Sequence, residues 1–200
     1  MKKLIVLVFV FFLLVGCNNS TKYTDIMNRA YELVDSKPDS AASLLNTIDA
    51  PGNLPPSAKA DYGYLKNLAY HKVGKPNTED SIILFTMDYY KNNNNTGRLS
   101  RTYELLASYY NQKNNMTSAL KTAGEGLQYN IEMNDSAEIA RSYDILAKLS
   151  KGDFNNAIRY LHKASLYDTK GSYWRDYSIG VCYTYERKAD SSSFFYKKKY

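Results

Sequence analysis

Few side chains in this chain have the reactivity to do chemistry, and their spacing decides what that chemistry is. Ser118 and Lys121 stand at the S-x-x-K spacing at which a lysine helps a serine take an acyl group, but the companion motifs of such a centre are absent. His71 and His162 are far apart in sequence, and neither has a cysteine, acid or second histidine at ligand spacing, which argues against a metal site. Gly124-Glu125-Gly126 lacks the third glycine and the preceding strand of a dinucleotide-binding loop, and no HExxH, Walker A or paired CxxC pattern occurs. Asp-Ser-apolar triplets at 39–41, 80–82 and 135–137 have the form of a serine glycosylation acceptor. Helix capping is the preferred reading of them, because modification needs an exposed serine and Ser81 falls on an expected packing position. Cys182 reads as a small buried side chain. The chain therefore reads as non-enzymatic and free of cofactors.

Cys17 is a different case. Met1, Lys2 and Lys3 precede an apolar run from Leu4 to Val15. A bilayer-spanning helix needs about 20 apolar residues, so the run is too short to remain as one and reads as a secretory signal. Small Gly16 stands directly before Cys17, and Leu14-Val15-Gly16-Cys17 resembles the lipobox of bacterial lipoproteins. The resemblance covers residues 1–17. It implies cleavage before Cys17, a diacylglyceryl thioether on its sulfur and an acyl chain on its amine. Each buried CH₂ contributes about 0.8 kcal/mol, and more than one chain makes anchoring stable. Asn18 in place of an aspartate implies the outer membrane, and the lack of an acidic run after Cys17 implies a periplasmic face. On this reading residues 1–16 are the signal peptide, 17–22 a linker and 23–200 the folded domain. The net charge of +6 includes Lys2 and Lys3 and is otherwise spread out, apart from Lys197, Lys198 and Lys199, so nucleic acid is not an expected partner. With Cys17 acylated, Cys182 has no disulfide partner and the fold must rest on packing.

The elements that carry these residues read as helices. The chain holds 20 Tyr against only 5 Pro and 10 Gly, long stretches lack breakers, and β-branched runs are scarce, which predicts an all-α protein. Self-comparison accounts for the tyrosines. Residues 103–126 read Tyr103-x₂-Leu106-Ala107-x₂-Tyr110-x₈-Ala119-x₃-Ala123-x₂-Gly126. This resembles the tetratricopeptide repeat, with Tyr for its Trp, Ala for its Gly and for its Phe, and a final Gly. The pattern recurs with Leu65, Leu68, Ala69, Ser81 and Phe85. It returns with Tyr143, Leu146, Ala147, Ala157, Leu161 and Ala164, then with Ile179, Gly180, Tyr183, Ser192 and Tyr196. It is loosest at Ala30, Leu33, Ala42 and Leu45. Small residues at 69, 107, 147 and 180, and at 42, 81, 119, 157 and 192, are expected to let paired helices approach, with large apolar residues three and four positions away covering the stripe between them. Asp39, Thr78, Thr117, Asp153 and Asp190 are the expected second-helix caps, and "APGNLPP" and "NNNNTG" mark joins between pairs. The reading is five helical hairpins, at 23–50, 56–91, 98–132, 136–168 and 172–200, each burying a face against the next. The last hairpin ends with the chain, which leaves Phe194, Phe195 and Tyr196 partly uncovered or marks a shortened array.

The tetratricopeptide resemblance implies an all-α superhelix whose first helices line a concave groove holding a peptide or a partner helix. The groove positions carried over to this chain are Lys66 and Tyr70; Arg101, Glu104, Ser108 and Asn111; Arg141, Asp144 and Lys148; and Trp174 and Tyr177. They describe a mixed polar surface with an aromatic end. The function so implied is a membrane-anchored, non-enzymatic scaffold for a protein or peptide partner. Two alternatives stay open: the periplasmic sensory part of a longer membrane regulator, and a glycan-binding lipoprotein, by analogy with starch-utilisation lipoproteins that carry helical repeats.

Overall fold

The computed structural model describes residues 23–76, 80–168, 173–186 and 189–197. The signal segment, Cys17, the linker to residue 22, Thr78, Lys198 and Lys199 lie outside them. The described residues are all-helical, with no strand among them, and fall into two units that meet in sequence between Asn95 and Thr96.

The first unit holds α1 (23–33), α2 (Pro38–Leu45), a 3₁₀ turn at Pro51–Asn53, α3 (Pro56–Lys72) and α4 (Asp80–Asn92). Proline opens α2, the 3₁₀ turn and α3, where its missing N–H is no loss. α3 packs against both α2 and α4. Ala30, Ala42, Leu45, Leu65, Leu68 and Ala69 are buried, as the repeat spacing predicts. Ser81 corrects that spacing: it is exposed, and Ile82, Ile83 and Thr86 fill the interface instead. Gly63 marks a close approach of α3 to α4; a Cβ there would collide with Thr86 and lie 2.7 Å from Ile82 Cγ2.

The second unit holds α5 (Thr96–Gln112), α6 (Met116–Glu132), α7 (Ser136–Leu149), α8 (Phe154–Tyr167), α9 (Tyr173–Tyr185) and α10 (Ala189–Lys197). Each helix packs on the next, and α5 also touches α7, the nearest-neighbour pattern of stacked hairpins. Ala107, Ala119, Ala123, Ile139, Tyr143, Leu146, Leu149 and Ala164 form one core cluster, and Ala147, Ile158, Leu161 and Ile179 the next. Gly126 is the close-approach residue of α6: a Cβ on it would lie 2.7 Å from Tyr103 Cβ, which explains why glycine and not alanine ends this repeat motif.

One turn recurs along the chain. Asn114 and Asn134 take the left-handed conformation at φ 57° and 53°. The amide of the following residue then closes the old helix, Asn115 onto Tyr110 O at 2.9 Å and Asp135 onto Asn130 O at 3.2 Å. The same two residues open the new helix: the Asn115 side chain accepts from Ser118 N, and Asp135 accepts from Ala137 N and Glu138 N. The cap of α6 is thus Asn115, and Thr117 lies inside the helix, contrary to the sequence expectation. Asp153 caps α8 as expected, through Asn156 N at 3.0 Å, whereas Asp39 lies inside the first turn of α2 and pairs with Lys75.

Candidate interaction surface

The residues assigned to the groove lie on α3 in the first unit and on α5, α7 and α9 in the second. On α3, Lys66 is buried; its ammonium donates to Tyr62 Oη at 2.9 Å and lies 5.8 Å from the Tyr70 ring centre. Tyr70 donates its hydroxyl to Asn46 Oδ1 at 3.3 Å. Both serve contacts within their own unit.

In the second unit α5 and α7 carry charges that pair with one another. On α5, Arg101 pairs with Glu104 one turn away, both half-buried, and Asn111 accepts from Lys151 at 3.3 Å. Ser108 lies half-buried on the same helix. On α7, Arg141 pairs with Glu138 at 3.3 Å, and Glu138 also accepts from Ser100 of α5 at 3.0 Å. Arg141, Asp144 and Lys148 follow one another at helical spacing, opposite the buried Ile139, Tyr143 and Leu146.

Asp144 is taken by a residue that the sequence did not single out. Arg175, on α9, donates from Nε to Asp144 Oδ1 at 2.8 Å and from Nη2 to Oδ2 at 2.7 Å, a two-pronged pair buried on both sides. Its Nη1 reaches Asp168, in the connection before α9, at 2.6 Å. The hydrogen bonds to Asp144, against the opposing cost of burial and with further help from Asp168, hold the guanidinium well above its ordinary pKa. Arg175 therefore ties α9 to α7 and gives Asp144 a structural duty. The available signal was an Asp and an Arg one repeat apart, but reading it requires knowing which helix faces which.

What the ion pairs leave open is aromatic. Tyr173, Trp174 and Tyr177 of α9 are 54 %, 38 % and 50 % exposed, and Tyr196 of α10 lies 5.6 Å from the Tyr177 ring. Lys148 is exposed and sits 5.3 Å over the Trp174 ring, a cation–π contact that joins α7 to α9. A cleft of about 450 Å³ lies at the N-terminal half of α7, lined in part by Arg141, Asp144, Tyr167, Asp168 and Arg175. Such a surface offers exposed aromatic rings and the Lys148 ammonium to a ligand. Among the described residues no group of three His, Cys, Asp or Glu side chains is close enough to hold a metal ion, and none of their helices is long and apolar enough to cross a membrane.

No protein-family model matches the chain, and no curated protein matches it in sequence. Solved structures match in fold. BtubC (BKLC) from P. vanneervenii aligns with TM-score 0.62 at 13% identity, over 91% of this chain and 87% of its own. A double mutant of MamA RS-1 aligns with TM-score 0.59 at 14% identity, over 90% and 92%. MamA 41-end from Desulfovibrio magneticus RS-1 aligns with TM-score 0.55 at 15% identity, over 90% and 93%. These are tetratricopeptide-like helical-repeat proteins, and the likeness extends to the fold.

Proposed function

We propose that this chain is a non-enzymatic interaction protein, anchored through lipid on Cys17 to the outer membrane and facing the periplasm, which holds an extended peptide or partner helix against α5, α7 and α9. The observation that carries the reading is the contrast on that face. Its other charges are paired within the chain, while three large aromatic rings and Lys148 stay exposed on it. Exposed aromatic clusters with a polar rim are the usual anchors of protein recognition. The tetratricopeptide-like fold supports a binding role in preference to a catalytic one.

A photocrosslinking residue placed at Tyr177, in cells, captures a discrete protein partner, whereas the same residue at Leu120 on α6 does not. Equal labelling at both positions, or none at Tyr177 in repeated trials, removes the reading. The anchor has its own test: Cys17→Ala releases the chain from membranes and abolishes lipid labelling, and labelling that persists refutes the assignment.

A further inference from the structure

Among the described helices α8 alone contains no Asp or Glu, and its outward face is cationic. Arg159, His162, Lys163 and Leu166 recur at helical spacing and are all exposed, Leu166 by 78 %, while Ala157, Ile158, Leu161 and Ala164 face the core. Arg159 and Lys163 lie over the rings of Tyr160 and Tyr143 at 5.9 and 5.5 Å, and neither makes an ion pair among the described residues. The stripe continues onto α10. The His162 ring is 5.8 Å from Phe195, and Phe194 stands edge-on to Phe195 at 5.3 Å and is 62 % exposed. The outward face of α6 differs: Lys121 faces Glu125 there, and Gln128 donates to Glu132.

A helix with cations and large apolar groups on one outward face, and no acid to offset them, has the composition of an interfacial helix. We infer that the outward face of α8, extended by Phe194 of α10, rests on an anionic lipid surface. Arg159 and Lys163 meet the headgroups, and Leu166 and Phe194 enter the boundary with the acyl chains. The choice of lipid rests on charge complementarity together with this apolar pair. It depends neither on the lipid at Cys17 nor on the inner face, because another face of the unit is involved.

The test uses the full chain reconstituted in phosphatidylcholine vesicles with and without phosphatidylglycerol, carrying a photocrosslinking residue at Leu166 or, as control, at Leu120. The lipid adduct at Leu166 rises several-fold when phosphatidylglycerol is present, and Leu120 stays low. Each cation near an anionic surface is worth a factor of about five, so Arg159→Gln with Lys163→Gln lowers the Leu166 adduct by about twenty-fivefold. Removing Lys91 and Lys121 instead leaves it unchanged, and Phe194→Ser lowers it at constant charge. Equal adducts at Leu166 and Leu120, no response to phosphatidylglycerol, or an equal loss on removing Lys91 and Lys121 overturns the inference. Repeated in native membranes, an adduct at Leu166 to an acidic protein in place of lipid also overturns it.

Discussion

Replacing Asp144 by Ala removes the acid that takes two of Arg175's hydrogen bonds. The side chains of Arg175 and Asp144 are only 6% and 9% exposed, so the cation left behind cannot rehydrate without opening the α7–α9 contact. Removing one partner of a buried ion pair costs about 3–5 kcal/mol. Asp168 still holds Nη1, which places Asp144→Ala near the lower end, about 3 kcal/mol. With a guanidinium denaturation slope of roughly 3 kcal/mol per molar, the midpoint falls by about 1 M. The chain's single tryptophan lies beside the defect, with Arg175 Cζ 5.6 Å from the Trp174 ring, so its emission reports on the last hairpin while circular dichroism reports on all of them. In a stack with nearest-neighbour energetics the two readings separate, the Trp174 transition moving first and farther. Pairing Asp144→Leu with Arg175→Met restores most of the loss, since an apolar pair of similar volume avoids the desolvation cost. The reasoning is refuted if Asp144→Ala stays within about 1 kcal/mol of the parent, or if the double replacement is as costly as the single one.

Three further outcomes follow from local geometry. Gly126→Ala destabilises by about 1–3 kcal/mol in urea titrations, because Tyr103 Cβ is fixed to its backbone and cannot swing away, whereas Gly124→Ala, with nothing within 4 Å, is stabilising by up to about 1 kcal/mol; equal effects contradict the packing. Asp135→Ala lowers stability by about 1 kcal/mol through loss of the cap on α7, and Thr117→Ala changes almost nothing because Asn115 holds that role in α6; a reversed order in thermal melts refutes the assignment. Burial, aided by neighbouring acids and tyrosines, holds the Tyr103 hydroxyl protonated above the ordinary tyrosine range, and burial does the same for Tyr129 and Tyr143. The unfolded chain then releases these protons first. Stability is intact below about pH 10 and declines as pH climbs through the raised values; thermal midpoints that stay flat across that window argue against it.

The hairpins were legible because their signal is periodic. Ala107, Ala119 and Ala123 lie where spacing alone puts them, in one core cluster. Spacing alone did not fix register: Ser81 stands 12 residues after Ala69, as Ala119 does after Ala107, yet Ser81 is exposed and Ala119 buried. One cap was misread: Thr117 was the expected cap, but the left-handed Asn114 places Asn115 at the helix mouth, where its side chain accepts from Ser118 N. For the candidate surface, the sequence reading assigned residues to α3, α5, α7 and α9, and of these Trp174 and Tyr177 are exposed rings. It missed the pairing that occupies Asp144, because an ion pair between repeats depends on rotation of one helix about its axis, and a one-dimensional pattern does not record that.

The recurring turn at Asn114 and Asn134 has an evolutionary consequence. The joint inside a hairpin and the joint between hairpins have the same backbone path, and in each a single residue ends one helix and begins the next. At these two joints the main chain does not distinguish an internal bend from an external one, whereas the bend at 150–153 turns through Gly152 instead. Duplicating a helix-plus-turn segment would lengthen the stack without requiring a new connector, and side-chain fit alone would decide whether the copy is kept. A chain built this way can change its number of layers faster than it can change the shape of any one of them.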